Sequence, residues 1–294
     1  MSWSQRFTHR IIHTVSDWLT EEQASSGTPM CDFERLRYEI RPCDVLLVEG
    51  RSRVSEVIKF ITQSPWSHSA LYLGRLHDIS DPEVREWVSE FGHYEPDTQL
   101  IIESLLGNGT VISPLSNYKE DHIRICRPKG ITHQDAQSVS GHAIRQLGMA
   151  YDIRQLLDLA RFLYPYHIFP KRWRSSLFEY NIGKHTRIIC STLIAQAFMS
   201  VHFPILPVVK RHMDQIAFYE GNPRLFTPKD FDYSPYFEIV KYPLIEIGRE
   251  SVYRQLPWGD SHHNREKNLP NDQAEWDNSQ IKTKLKMTKK ESVS

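Results

Sequence analysis

Between residues 45 and 127 the apolar side chains fall in short runs, each broken by turn-forming residues before it reaches helix length. Val45-Leu46-Leu47-Val48 is the densest of them, suited to a buried strand and ended by Glu49-Gly50. His68 to Gly74 (HSALYLG) reads as a second strand, with His68, Ala70 and Tyr72 on one face and Leu71 and Leu73 on the other. Leu100 to Glu103 and Val111 to Leu115 flank Gly107-Asn108-Gly109, the turn chemistry of a hairpin, and His122 to Arg127 adds a further strand. A late strand is expected at Phe237 to Val240. Helical spacing appears at Val54, Val57, Ile58 and Ile61, stopping before Pro65, and at Ala136, Val139, Ala143, Ile144 and Leu147, ended by Gly148. Asp152 to Leu163 and Cys190 to Val201 complete the expected helices. The length allows two domains, but a single α+β domain with a tail fits equally well.

Composition narrows the function. The chain has 294 residues, 40% hydrophobic and 11% aromatic, enough for a sizeable core. Its 36 basic side chains balance 36 acidic ones, which argues against a general nucleic-acid binder. Cysteines at 31, 43, 126 and 190 are too few for a disulfide scaffold and too far apart for zinc-ligand spacing. Reduced thiols in a cytoplasmic setting are the expectation, with no metal. The N-terminus lacks the uninterrupted apolar core of a signal peptide, and Ser2 precludes N-myristoylation. Ile188 to Val209 carries no Lys, Arg, Asp or Glu, yet Gln196, His202, Pro204 and Pro207 favour a buried helix and a Pro-rich turn over a membrane span.

Three regions follow. Residues 1–40 hold a leading amphipathic helix (Phe7, Ile11, Val15, Trp18 and Leu19 over residues 4–20), then a loop-like stretch over 23–35. Residues 41–258 form the folded domain, and 259–294 a disordered polar tail whose end carries Lys282, Lys284, Lys286, Lys289 and Lys290. The leading helix and the Lys-rich end are the candidates for peripheral membrane contact. Residues 75–98 look like a polar insertion between strands, and Lys171-Arg172-Trp173-Arg174 like a solvated basic loop.

Cys190 stands at the start of a predicted helix, where the dipole lowers a thiol's pKa and free N–H groups can receive an oxyanion. Taken alone it reads equally well as an inert core cysteine. His68, at a strand mouth behind Trp66, is the best-placed base, or else a structural hydrogen-bonder. Glu103 ends an apolar strand, as an acceptor for that histidine or as a solvent-facing strand end.

Together the segments resemble one family. Pro42 to Gly50 (PCDVLLVEG), Thr62 to Gly74 (TQSPWSHSALYLG) and Ile189 to Phe198 (ICSTLIAQAF) are similar to the YiiX/YebB-like branch of the NlpC-type papain-like cysteine hydrolases. This is a largely bacterial, circularly permuted group. The resemblance runs from about Arg41 to Lys241 and takes in Gly148 to Asp152 and Asp230 to Val240. It implies a permuted papain-like fold, a small antiparallel sheet or partial barrel packed on the helix that carries the nucleophile. Permutation turns the usual order into His, acid, Cys, so it implies His68 as general base and acid, Glu103 as its orienter and Cys190 as nucleophile. Tyr151 is implied beside the nucleophile, binding oxyanion or substrate. Cys43 stands where the resemblance calls for glycine, and the 75–98 insertion is placed to cover or shape the cleft. The implied activity is cleavage of an amide in a small-molecule, peptide or N-acyl substrate through a thioester, with no cofactor. Acyl transfer of the lecithin:retinol acyltransferase kind, or a non-catalytic groove for lipid or peptide, are the alternatives.

Overall fold

The computed structural model describes residues 21, 31–151, 187–212 and 215–243. The leading helix, the helix expected at 152–163, the 171–174 cluster, the boundary at 258 and the tail lie outside the described residues.

Six strands form one antiparallel sheet in the order β10-β5-β1-β2-β3-β4. These are β1 (Val45–Glu49), β2 (His68–Gly74), β3 (Leu100–Leu105), β4 (Gly109–Pro114), β5 (His122–Pro128) and β10 (Phe237–Val240). The expected strands are all present. β1 lies centrally, pairing Val48 with His68 on one side and with Ile123 on the other. Central placement explains the unbroken apolar run of 45–48: both faces of that strand are covered.

Alternation along the strands sends side chains into two cores. One face carries Val45, Leu47, Leu71, Leu73, Leu100 and Ile102. Against it pack α3 (Pro82–Phe91), α4 (His133–Ile144) and α5 (Cys190–Met199). The opposite face carries Leu46, Val48, Ala70, Tyr72 and Ile101, covered by α1 (Phe33–Glu39) through Phe33 and Leu36. The loop expected over 23–35 therefore gives way to helix at Phe33, where the Asp32 side chain accepts from Arg35 N–H at 3.1 Å and caps α1.

α2 (Arg53–Thr62) has the predicted extent and is capped by Ser52. Its buried residues are Ser55 and Thr62, while Val57 is 49% exposed, so its apolar stripe is not a core face. The 75–98 stretch holds α3, capped by Asp81 and burying Val84 and Val88. This segment packs into the main core rather than over the cleft, because two valines one helical turn apart suffice to dock it.

The remaining described elements are short. β6 (Ala150–Tyr151) and β7 (Arg187–Ile188) pair in parallel, with Tyr151 opposite Ile188. β8 (Val208–His212) and β9 (Gln215–Tyr219) make a hairpin, and α6 (Pro228–Tyr233) precedes β10. Gly109 at φ +76° begins β4; a Cβ there would fall 2.2 Å from the Met149 carbonyl oxygen, which accepts from Thr110 N–H at 2.7 Å. Only glycine lets β6 approach that closely.

Candidate active site

Two neighbouring strands and one helix bring Cys190, His68 and Glu103 together. His68 opens β2, Glu103 lies within β3 on the face of Ile101, and Cys190 is the first residue of α5, which packs on both strands. Glu103 is not a solvent-facing strand end. It is 1% exposed, because the strand continues through Ser104 and Leu105.

The His68 Nε2 and Glu103 Oε2 atoms are 2.7 Å apart. The same carboxylate oxygen accepts from the Tyr118 hydroxyl, and Ser113 provides a further hydrogen bond. His68 also contacts the Cys190 sulfur. With Nε2 on the carboxylate, Nδ1 is the nitrogen left for that contact. Tyr118 stacks beside His68, ring centroids 6.0 Å apart. Sequence reasoning missed Tyr118, which lies in the 3₁₀ turn Leu115–Tyr118, where no periodicity marks it.

The charges are mutually supporting. Burial works to lower the His68 pKa, but Cys190 and Glu103 together push it up to about 10. Burial would raise the Cys190 thiol, yet His68 and then Ser69 bring it below the ordinary thiol value. Glu103 is likewise raised by burial and more than compensated by His68, Ser113 and Tyr118, ending below the usual carboxylate range. The coupling favours the thiolate–imidazolium–carboxylate form of the three groups over the form with a neutral thiol and imidazole. The other three thiols differ: burial pushes Cys31, Cys43 and Cys126 all up.

Ile189, the residue before α5, has no side chain able to cap the helix, so no cap occupies the amides beneath Cys190. A cavity of about 300 Å³ opens at Cys190 and His68, walled by Val54 and Ile58 of α2, Leu105 and Leu106, with Arg51 and Asp121 at 3.1 Å from one another. No residue of 75–98 lines it. The Tyr151 backbone is aligned two residues before Cys190 through its pairing with Ile188. Among the described residues no His, Cys, Asp or Glu cluster could hold a metal ion.

Residues 39–162 match the family described as permuted papain-like amidase enzyme, YaeF/YiiX, C92 family. Over that stretch, less than half of its length, the chain is similar to the permuted papain-like amidases. These are enzymes, and their papain-like, permuted character agrees with the α+β arrangement around a helix-borne cysteine. The match includes His68, Glu103 and Tyr151 and ends before Cys190. No curated protein matches the chain. Among solved structures, that of metalloprotein yiiX from Escherichia coli O157:H7 is similar at 14% identity and a TM-score of 0.43, covering 69% of this chain and 97% of that one. No described helix is long and apolar enough to cross a membrane.

Proposed function

We propose that the protein is a cysteine amidase that works through a thioester, with Cys190 as nucleophile, His68 as proton carrier and Glu103 as its orienter. The observation that carries this reading is the buried hydrogen-bonded series Cys190–His68–Glu103 at the mouth of a cavity. The Cys190 thiolate attacks the amide carbonyl carbon; the C–S bond forms and the carbonyl π pair moves to oxygen. The Cys190 N–H, at the positive end of α5, stabilises that oxyanion. His68 gives its proton to the departing nitrogen as the C–N bond breaks, leaving a thioester. Water then attacks the thioester, His68 takes the water's proton, and the acid departs from the thiolate. Glu103 keeps the imidazole in one orientation throughout.

Alkylation by iodoacetamide near neutral pH tests the assignment. Rapid modification confined to Cys190, slowed at least about tenfold by His68→Ala, is the expected result. Equal, slow modification of all four cysteines would overturn it.

A further inference from the structure

Ser69 follows His68 in β2 and pairs with Leu47, so its side chain leaves the His68 face and points, with Leu71 and Leu73, toward α5. It is 0% exposed, and its hydroxyl has no hydrogen-bond partner of ordinary geometry. A buried hydroxyl left so is destabilising, and a strand position among leucines would otherwise favour an apolar residue. On that side α5 begins with the buried Cys190, and the Ser69 backbone N–H and hydroxyl both act to lower its thiol pKa. A thiol is a poor acceptor and a thiolate a good one, so the contact gains strength only when the sulfur is charged.

We propose that Ser69 is a further catalytic residue, whose hydroxyl donates to the Cys190 thiolate and holds the nucleophile ionised from the sheet side. His68 holds it as a cation, so the sulfur has one charged partner and one neutral donor. The division has a chemical use. When the thioester is hydrolysed the sulfur departs as a thiolate, and Ser69 donates to it beside the His68 imidazolium that water's proton has just re-formed. The role rests on Cys190 being the nucleophile.

Other charges around the sulfur are accounted for. His68 comes from β2, Glu103 from β3 and Tyr118 from the 3₁₀ turn, while Arg51 and Asp121 stand on the cavity wall. Neither α4 nor the turn Pro223–Leu225, both packed along α5, contributes a lining residue. None of these groups changes when Ser69 is substituted.

The test is the pH dependence of Cys190 alkylation in the full chain, read by mass spectrometry for wild type, Ser69→Ala, Ser69→Thr and Ser69→Val. Threonine and valine have the same volume and differ in the hydroxyl. Loss of the hydroxyl in the alanine and valine variants is expected to move the midpoint up by about one pH unit, a roughly tenfold slower reaction below it, and threonine to restore the wild-type midpoint. A midpoint that stays fixed in Ser69→Ala, or moves equally in the threonine and valine variants, would overturn the role, whatever happens to the melting temperature. Failure of the nucleophile assignment is separate: wild-type Cys190 would then react no faster than Cys31.

Discussion

Glu103 must stay ionised while 1% exposed, and its three partners make that affordable. Glu103→Gln removes the charge that helps hold His68 protonated, so the imidazole, titrating at about 10, should lose its proton at lower pH; ring-proton NMR shifts would show it. Amide turnover needs thiolate and imidazolium together. It should rise as pH passes the lowered Cys190 value and fall as pH passes about 10, with the falling limb moving to lower pH in Glu103→Gln. A high-pH limb that stays in place would contradict the coupling. Tyr118→Phe deletes one donor to the carboxylate and should cost about 1–2 kcal/mol in urea unfolding, with a smaller fall in the His68 titration. The placement of Cys190 at a helix start and of His68 at a strand mouth was legible because both leave a pattern. The burial of Glu103 was not, since the continuation of β3 through Ser104 and Leu105 depends on pairing with β4. Ser69 did leave a sign: a polar residue on the leucine side of an otherwise regular alternation.

Elements divide into those that form the sheet and those that dress it. α3 is dressing: its Asp81 cap accepts from Glu83 N–H at 3.0 Å, and Asp81→Ala should cost about 1 kcal/mol while leaving the Cys190 alkylation rate unchanged. Altered alkylation would mean that 75–98 reaches the cleft after all. Gly109 is different, because the strand and the neighbouring turn meet there. Gly109→Ala should destabilise by roughly 1–3 kcal/mol and loosen β6, seen as faster amide exchange at Thr110. The strands were readable from short apolar runs, and the 100–114 hairpin from Gly107-Asn108-Gly109. α1 and α3 escaped because each buries only two residues, too few to impose a period. β8 and β9 escaped for the opposite reason: Val209, Ile216 and Phe218 are all more than half exposed, so no inside-outside alternation was present to detect. Cys43 sits at φ +75°, which explains why the resemblance calls for glycine there.

At the scale of the folded unit, the sheet separates two cores that differ in size and in what they serve. Phe198 on α5, fully buried among Phe203 and Phe237, belongs to the larger core, and Phe198→Ala should cost about 3–5 kcal/mol in chemical denaturation. Leu36 lies in the smaller one and holds α1 on the face that carries His68 and Glu103. The α+β class was visible in the sequence through the hairpin-joined strands and the family resemblance, although the helical spacing at 54–61 falls between two strands. An open six-stranded sheet, rather than a partly closed barrel, could not be read there, since closure depends on whether β4 and β10 meet, and in this order they are opposite edges. One small contact bears on how such a chain is laid out at all. Cys31 bridges to Pro243, and Asp32 N–H donates to the Tyr242 carbonyl at 2.7 Å. The stretches at 31–32 and 242–243 are therefore stitched together, and the described backbone between them nearly closes on itself, with its seam at 31 and 243. Position along a ring has no beginning. Sealing the seam with a short linker and opening the chain between Tyr151 and Arg187 would present Cys190 first, then His68, then Glu103, with every pairing of the six-stranded sheet intact.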